Sequence, residues 1–354
     1  MTKLFTPLKI KDITLKNRIA ISPMCQYSSV DGFASDWHLV HYGSRAVGGA
    51  GLIIQEASAV SPEGRITPGD LGIYSDKHIE KLKQITQFVE SYGSVPGIQL
   101  AHAGRKGSCS RPWEGGAQLA LHEGGWETLA PSALPFNAED RAPQALDPKG
   151  INTFVDNFVM AAQRALEAGY KVLEIHAAHG YLIHEFLSPI SNHRTDDYGG
   201  SFENRIRLLL EVVKSVQSVW PGDFPLFVRI SATDWVEGGW DIDEAVKLAS
   251  ILKNERVDLI DCSSGGMVPW AKIPFGPGYQ VSFSDRIKNE TGIMTGAVGM
   301  ITEARQAEEI LAKKQADLIL IGRESLRNPY FPLYAAKKLA DETEWPLQYI
   351  RAKL

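Results

Sequence analysis

The amino-acid sequence predicts an α/β protein built as a single (β/α)8 TIM barrel. Short apolar segments alternate with helical patterns along the whole chain of 354 residues. Eight of these segments have strand character, and eight is the number at which a parallel sheet closes with its interior filled by side chains. Their nearly continuous apolar character is typical of parallel strands buried on both faces. The predicted strands are Arg18–Ser22, Gly51–Glu56, Pro96–Leu100, Val172–His176, Leu226–Ile230, Asp258–Cys262, Ile293–Thr295 and Leu318–Ile321.

Three of the connecting segments show the 3.6-residue period of amphipathic helices. Apolar residues recur at three- and four-residue intervals over 155–166 and again over 206–216. A further helix begins after Asp241, and Glu244 has the spacing of a capping box with Asp241 at the N-cap. We therefore expect helices to cover the outside of the barrel.

A doubly wound open sheet is the alternative with the same alternation of strands and helices. That fold would place a glycine-rich phosphate-binding turn after its first strand. Here the first strand leads into Ser22, Pro23 and Met24, and proline has no N–H to offer a phosphate. The sequence therefore favours the closed barrel.

Two segments depart from an ideal barrel. Residues 4–17 precede the first barrel strand and predict a small hairpin that caps the bottom of the barrel. Residues 107–150 form a long insertion after strand three, and connections of this length are often lids. No composition shift or low-complexity linker divides the chain, so we expect residues 1–354 to form a single domain.

Composition excludes several classes of protein. The chain has 37 Lys and Arg against 42 Asp and Glu, and a net charge of −5 argues against a nucleic-acid partner. No apolar run approaches the roughly 18 residues of a membrane span. Cys25, Cys109 and Cys262 are far apart in the sequence, and the N-terminus lacks the pattern of a signal peptide. We therefore expect a cytoplasmic protein without a membrane partner.

The residues that follow the strands indicate where chemistry occurs, because the C-terminal strand ends of such barrels share one face. Almost every strand delivers a hydrogen-bonding group or a glycine to this face, which predicts a large polar ligand across the barrel mouth. In chain order these residues include Pro23, Met24, Cys25, Gln26 and Tyr27, then Glu56, Ala57, Gln99, His102, Arg105 and Lys106, then His176, His179, Tyr181 and Arg229, and finally Ser263, Ser264, Gly299, Gly322 and Arg323.

The last two strands predict a phosphate site. Gly299 follows strand seven, and Gly322 with Arg323 follows strand eight, where barrels commonly bind phosphate through backbone N–H groups. Glycine permits a close backbone approach, and an arginine adds a bidentate contact. The alternative is that the glycines only make tight turns.

His176 and His179 are open to three interpretations. With Glu174, which points the same way along the strand, they are possible ligands of a metal in a barrel hydrolase or aldolase. With Tyr181 they form a different site, in which two imidazole N–H groups polarise a carbonyl and a phenol supplies a proton. Two histidines packed at a strand end are the structural alternative.

Arg229 and Cys25 each have a structural alternative as well. A buried arginine needs an anion or polar ligand, or else an ion pair with a carboxylate on a neighbouring strand such as Glu56. A free cysteine is most often a small buried residue, but Cys25 beside a ligand would be a redox-sensitive contact.

At this point the sequence resembles the Old Yellow Enzyme family of flavin-dependent ene-reductases. The resemblance runs from about Leu4 to the C-terminus, and the motifs occur in the family's order. The pair of histidines, together with Cys25 and Tyr27, places the chain near the thermophilic-like branch of NADPH dehydrogenases, also called xenobiotic reductases. The matching segments are 17–18, 23–25, 99–105, 176–181, 197–205 and 322–323.

The resemblance implies a tightly held, non-covalent FMN, with NADPH as the hydride donor and no metal. It assigns residues to the isoalloxazine ring, to its pyrimidine edge, to the ribityl chain and to the phosphate. These are, respectively, Ser22, Pro23, Met24 and Cys25 along the ring, Ala57, Gln99 and Arg229 at the edge, Ser264 near the ribityl chain, and Gly299, Gly322 and Arg323 at the phosphate.

The resemblance also implies how a substrate binds. His176 and His179 would bind the electron-withdrawing oxygen of an enone, nitroalkene or nitroester, with help from Tyr27, and Tyr181 would donate the proton. Cys25 would tune the flavin and touch the substrate. Arg351 would enter the site of a neighbouring subunit, which implies a homodimer or homotetramer.

A flavin-binding redox sensor that reports through Cys25 is the alternative from a non-enzyme class. Such a protein would be yellow but would gain no NADPH oxidation from an added enone, whereas a metal-dependent hydrolase or aldolase would be colourless.

Overall fold

Eight parallel strands close into a barrel in which each strand pairs with the strands before and after it in chain order. The structure is a computed structural model and describes residues 2–353. The strands of the chain are β1 (Leu8–Ile10), β2 (Ile13–Leu15), β3 (Ile19–Ile21), β4 (Leu52–Ala59), β5 (Val95–Ala101), β6 (Leu129–Ala130), β7 (Gln144–Ala145), β8 (Val172–Ala177), β9 (Leu226–Ser231), β10 (Leu259–Ser263), β11 (Met294–Ala297) and β12 (Leu318–Ile321).

The barrel consists of β3, β4, β5 and β8 to β12, and these are the eight strands that the sequence predicts. The fold prediction is therefore confirmed. The helices are α1 (Asp36–Val47), α2 (Ile79–Ser91), α3 (Pro148–Glu167), α4 (Leu182–Leu187), α5 (Phe202–Arg205), α6 (Arg207–Gln217), α7 (Ile242–Asn254), α8 (Val281–Thr291), α9 (Ala304–Ala312), α10 (Arg323–Arg327) and α11 (Phe331–Lys338), and 3-10 turns cover Lys3–Phe5, Pro62–Gly64, Asp76–His78, Gly104–Lys106, Pro112–Glu114, Leu121–Glu123 and Leu347–Ala352.

The helical patterns of the sequence correspond to α3, α6 and α7. Asp241 caps α7, since its carboxylate accepts the backbone N–H of Glu244 at 2.9 Å. The reciprocal half of the predicted capping box is not formed, because the Glu244 carboxylate binds the guanidinium of Arg205. No helix within residues 2–353 is long and apolar enough to cross a membrane.

The predicted N-terminal hairpin is β1 and β2, paired antiparallel. Leu8, Ile10 and Leu15 of the hairpin belong to one apolar cluster with residues at the beginning of the barrel strands, including Phe227 and Leu259. The hairpin therefore closes the bottom of the barrel with apolar side chains, as the sequence predicts, and leaves the opposite end for the site.

One barrel strand is irregular next to the site. The pairing of β4 with β5 shifts between Gln55 and Ser58, so that β4 carries one extra residue there. Such bulges re-aim side chains and are common beside active sites. Here the carboxylate of Glu56 accepts the hydroxyl of Tyr42 in α1 at 2.8 Å, whereas Ala57 lines the cavity described below.

Candidate functional site

A cavity of about 450 Å³ opens at the C-terminal ends of the barrel strands. It has the place and the size expected for a cofactor site in this architecture. Most of the residues that the sequence selects meet in its lining. They are Ser22, Pro23, Met24, Cys25, Tyr27, Ala57, Gln99, His176, His179, Tyr181, Arg229, Gly299, Gly322 and Arg323.

Two residues to which the resemblance assigns a ligand contact lie outside the lining. Ser264 donates its hydroxyl to Gln280 Oε1 at 2.6 Å, and the neighbouring Ser263 lines the cavity in its place. Arg351 is exposed on the C-terminal 3-10 turn and does not line the cavity of its own chain.

The segment from Cys25 to Tyr27 is held against the cavity from two sides. The backbone N–H of Gln26 donates to Glu56 Oε2 at 2.7 Å, and Arg111 Nε donates to the carbonyl of Tyr27 at 3.0 Å. These bonds hold Tyr27 in the left-handed region, with φ of 52°. Because Arg111 belongs to the insertion, the insertion contacts this side of the site.

Burial, with the nearby carboxylates of Asp70 and Glu56, raises the pKa of the Cys25 thiol well above its usual range. The pKa of the Tyr27 phenol is likewise raised by burial. Cys25 is therefore a neutral thiol, whereas a reactive sensor cysteine needs a lowered pKa. This argues against the interpretation of the chain as a thiol-based redox sensor.

The imidazoles of His176 and His179 form a chain of hydrogen bonds. His176 Nδ1 accepts the backbone N–H of Ala178 at 3.2 Å, so the proton of the neutral ring is on Nε2. That Nε2 lies 3.2 Å from His179 Nδ1, and His179 Nε2 lies 2.7 Å from Ser263 Oγ. Burial, followed by the charge of Arg229, lowers the pKa of both rings well below the usual range. Both rings are therefore neutral, and each carries one N–H.

The loop that carries His179 is fixed by three contacts. The backbone N–H of His179 donates to Ser231 Oγ at 3.0 Å, and Lys106 Nζ donates to the His179 carbonyl at 2.9 Å. A side chain at Gly266 would place its Cβ 2.6 Å from His179 Cα, so only glycine permits this approach. The contacts hold His179 at a φ of 61° and thereby fix the direction of its ring.

The phenol of Tyr181 lies beside the histidine pair. Its ring centroid is 4.9 Å from that of His176, at an interplanar angle of 77°, and Lys106 Nζ is 5.5 Å from the centroid of Tyr181. Burial raises the pKa of Tyr181 well above its usual range. The phenol therefore keeps its proton and is suited to act as a donor.

The floor of the cavity contains charged groups on adjacent strands. Gln99 Nε2 donates to Glu174 Oε1 at 2.8 Å, and Arg229 Nε lies 3.0 Å from Asp261 Oδ2. The sequence suggested Glu56 as the partner of Arg229, and this is wrong. The bulge in β4 turns Glu56 toward α1, whereas the register of β9 and β10 places Asp261 opposite Arg229.

The cavity fits the FMN that the resemblance implies. At the end predicted for the phosphate, a Cβ on Gly322 would meet no atom closer than Met24 Sδ at 3.8 Å, so the backbone there is open to a ligand. The guanidinium of Arg323 has no ion pair within residues 2–353 and is available to an anion. At the other end, Gln99 and Arg229 offer the hydrogen-bonding groups that a pyrimidine edge needs.

Several residues in or beside the cavity receive no role from the sequence. Lys106 was noted at the barrel mouth but given no role, although it binds the His179 loop. The sequence does not show that Ser263 rather than Ser264 faces the cavity, because neighbouring strand residues point to opposite faces and the end of β10 is not visible in the sequence. The other lining residues without a predicted role are Tyr279, Gln280, Val298, Met300, Ile301, Thr302, Leu320, Glu324 and Arg327.

The metal interpretation finds no support in the geometry. No group of three or more His, Cys, Asp or Glu side chains suited to a metal ion occurs in the described part of the chain. Glu174 binds Gln99, and the two histidine rings bind each other and Ser263.

Comparison with known proteins decides the family. The model of the NADH:flavin oxidoreductase / NADH oxidase family matches residues 3–342. The chain belongs to this family. It is 54% identical over 351 residues to the NADPH dehydrogenase of Bacillus subtilis (strain 168), covering 99% of this chain and 98% of that relative. It is 50% identical over 354 residues to the NADPH dehydrogenase of Listeria innocua serovar 6a, covering 99% of each.

Solved structures of similar proteins share the fold. Morphinone reductase matches with a TM-score of 0.80 and 29% identity over 98% of this chain and 91% of that chain. The old yellow enzyme homologue from Zymomonas mobilis matches with a TM-score of 0.80 and 29% identity over 98% and 95%. The predicted Old Yellow Enzyme membership, the enzyme class and the FMN cofactor are thereby confirmed.

Proposed function

We propose that this NADPH-dependent flavin oxidoreductase is an ene-reductase in which residues 1–354 act as one FMN-binding domain. Its substrates are enones, nitroalkenes or nitroesters, and its hydride donor is NADPH, as the names of its relatives suggest. The observation that carries the proposal is the group formed by His176, His179 and Tyr181. Two neutral imidazole N–H groups and one protonated phenol line the same cavity as the residues suited to FMN.

The cofactor is held by the residues that the resemblance assigns to it. Gly299, Gly322 and Arg323 hold the phosphate, Gln99 and Arg229 bind the pyrimidine edge, and the remaining contacts come from Ser22, Pro23, Met24, Cys25 and Ala57. Ser263 lines the cavity where Ser264 does not, so it is the better candidate for a contact with the ribityl chain. When bound, FMN supplies the hydride chemistry between NADPH and the β-carbon of the alkene.

The histidine pair binds the substrate oxygen. His176 and His179 each carry one N–H, now directed at His179 Nδ1 and at Ser263 Oγ respectively. An incoming carbonyl or nitro oxygen takes over or shares these donors, and Tyr27 provides a further hydroxyl at the same cavity. Donors fixed before the reaction stabilise the negative charge that develops on this oxygen, because they need no reorganisation.

Tyr181 donates a proton to the α-carbon. Its phenol is half-buried and keeps its proton, and its ring centroid lies 4.9 Å from that of His176. This proximity supports a position near the oxygen end of the bound substrate. A positioned general acid of this kind contributes about 10²- to 10⁴-fold to a rate. Cys25 touches the substrate and the flavin as a neutral thiol.

A neighbouring subunit contributes a residue to the site. We expect a homodimer or homotetramer in the cytoplasm, in which the exposed Arg351 reaches the cavity of a neighbouring subunit. Arg351→Ala is expected to weaken substrate binding without changing the sedimentation coefficient of the oligomer. A monomer in sedimentation experiments would contradict this role of Arg351.

The experiment that tests the function follows the flavin absorbance without oxygen. NADPH should bleach the yellow protein, and cyclohexenone should restore the colour while one equivalent of alkene is reduced. Cyclohexanone, which lacks the activated double bond, is the matched control and should restore nothing.

The alternatives predict different outcomes in the same experiment. A colourless protein that loses activity to a chelator would support the metal-dependent hydrolase or aldolase. A yellow protein that NADPH bleaches but no enone restores would support the sensor. Colour that returns without reduction of the alkene would contradict the ene-reductase.

A further inference from the structure

Three adjacent barrel strands stack their inward side chains in three layers. Inward positions repeat every second residue along each strand, and we group these residues by height into three staggered layers. The bottom layer is Val172, Phe227 and Leu259, the middle layer is Glu174, Arg229 and Asp261, and the top layer is His176, Ser231 and Ser263. The layers are staggered because the register pairs Arg229 with Asp261 on β10 but with His176, one inward residue above Glu174, on β8.

The middle layer is a buried cluster of one cation and two carboxyl groups. Glu174 and Asp261 are fully buried, and Arg229 is 6% exposed. Gln99 on β5 faces the cluster from the other side through its bond to Glu174. Among the described residues, Glu174 Oε2 and both carboxylate oxygens of Asp261 have no well-aligned hydrogen bond. A buried ionised group without a partner is costly, so the charges within the cluster must balance.

The contacts determine which carboxyl is ionised. Asp261 Oδ2 lies 3.0 Å from the Arg229 guanidinium, so this pair carries one positive and one negative charge. Glu174 contacts the neutral amide of Gln99 instead, and burial with the charge of Asp261 raises its pKa to about 8. At pH 7 Glu174 is therefore protonated, and the cluster is neutral overall.

Arg229 and Gln99 line the cavity, whereas Glu174 and Asp261 lie beneath them. We propose that Asp261 is a positioning residue that sets the reduction potential of the bound flavin by offsetting the charge of Arg229. The proposal rests on the proposed placement of the pyrimidine edge against Arg229 and Gln99.

The direction of the effect follows from charge. Two-electron reduction of FMN with uptake of one proton leaves one additional negative charge on the ring. Arg229 favours this charge, and the Asp261 carboxylate opposes it. A charge in direct contact shifts an ionisation equilibrium by about ten- to a thousandfold, and Asp261 acts from one residue further away. We therefore expect the lower end of this range, about tenfold.

The test is a redox titration of the FMN-loaded protein at pH 7 against a reference dye, followed by visible absorbance. Asp261→Asn should favour reduction about tenfold, which is about 30 mV for a two-electron couple. Glu174→Gln is the matched control, since it replaces a neutral carboxyl with a neutral amide at the same depth. It should change the equilibrium constant less than twofold.

A third variant separates the two proposals. Arg229→Gln should disfavour reduction, because it removes the cation. If Arg229→Gln shifts the potential and Asp261→Asn does not, the role of Asp261 is wrong and the flavin site stands. If Arg229→Gln has no effect either, the placement of Arg229 is wrong, and both proposals lose their basis. A shift in Glu174→Gln as large as that in Asp261→Asn would overturn the assignment of charges.

If Asp261→Asn does not fold, the reason is that this variant leaves the buried Arg229 guanidinium without an anionic partner. The double variant Arg229→Gln/Asp261→Asn contains neither charge and avoids this problem. We expect the reduction potential of the double variant to lie between those of Arg229→Gln and the wild type. Its equilibrium constant for reduction should exceed that of Arg229→Gln about tenfold. A double variant identical to Arg229→Gln would contradict the role of Asp261.

Discussion

The bottom and middle layers of the barrel interior lie only two residues apart along each strand, yet they differ completely in chemistry. Phe227 and Leu259 of the bottom layer pack with the N-terminal hairpin in one apolar cluster. Arg229 and Asp261, the next inward residues on the same strands, form a buried ion pair. Apolar burial stabilises folds, whereas buried ion pairs often contribute little net stability. The comparison indicates that the lower layer maintains the barrel and the middle layer serves the site.

The largest effect on stability is expected in the bottom layer. Phe227→Ala should lower the free energy of unfolding by about 3–5 kcal/mol, because it removes a fully buried ring and leaves a cavity beside the hairpin. Chemical denaturation of the FMN-free protein measures the change. Phe275→Ala is the control, since that ring is 66% exposed. An equal loss in both variants would contradict the assignment of stability to the bottom layer.

The next largest effect concerns catalysis in the top layer. His176→Ala should reduce the rate of flavin reoxidation by an enone about 10²- to 10³-fold, since it removes one donor to the developing charge. Reduction of the flavin by NADPH should change only a few-fold. Stopped-flow absorbance separates the two half-reactions, and His193→Ala, at an exposed histidine outside the cavity, is the control. Equal losses in both half-reactions would show that the role of the histidine pair is wrong.

Replacement of the phenol should have a somewhat smaller effect. Tyr181→Phe should slow enone reduction about 10²-fold, because solvent then supplies the proton. Burial raises the pKa of Tyr181 well above 10, so the wild-type rate should show no loss from this group up to pH 9. A pH profile of the reoxidation rate tests both points. If the wild-type rate falls above an apparent pKa near 7 and the rate of Tyr181→Phe does not, the phenol is not permanently protonated.

The smallest effect is the pH dependence of stability that the middle layer introduces. Burial raises the pKa of Glu174 from 4.5 to about 8, so the folded protein binds this proton more tightly than the unfolded chain. The resulting stabilisation is complete below pH 4.5 and is lost as the pH rises through 8. Between pH 5 and pH 8 the free energy of unfolding should fall less steeply in Glu174→Gln than in the wild type, because the amide has no proton to lose. Parallel curves would contradict a protonated Glu174.

Much of this architecture can be predicted from the sequence, and the features that cannot be predicted have physical causes. The eight strands and α3 follow from apolar patterns, because these elements bury one or both faces. Most residues predicted at the strand ends meet in one cavity, because all parallel strands end at one face. The partner of Arg229 was not predictable, since it depends on the register between β9 and β10 and on a bulge in β4. Neither register nor bulge leaves a pattern in one sequence.

The prediction of site residues from the sequence has the same physical limits. His176 and Tyr181 were found because they lie within a recognisable motif, and the fold brings them together. Lys106 had no such signal, because its contact with the His179 carbonyl joins segments 73 residues apart. The choice of Ser264 over Ser263 depended on the face to which each residue points, and a run of two serines does not show it.

The bulge in β4 changes which residues of the strand point into the barrel. Leu52 and Ile54 face the interior below it, and a regular strand would bring Glu56 to the next inward position. The extra residue gives that position to Ala57 instead, so a ligand meets a methyl group where it would have met a carboxylate. A deletion of one residue here would therefore reverse the polarity of one wall of the cavity with no side chain exchanged. Chain length alone thus acts as a determinant of pocket chemistry in this barrel.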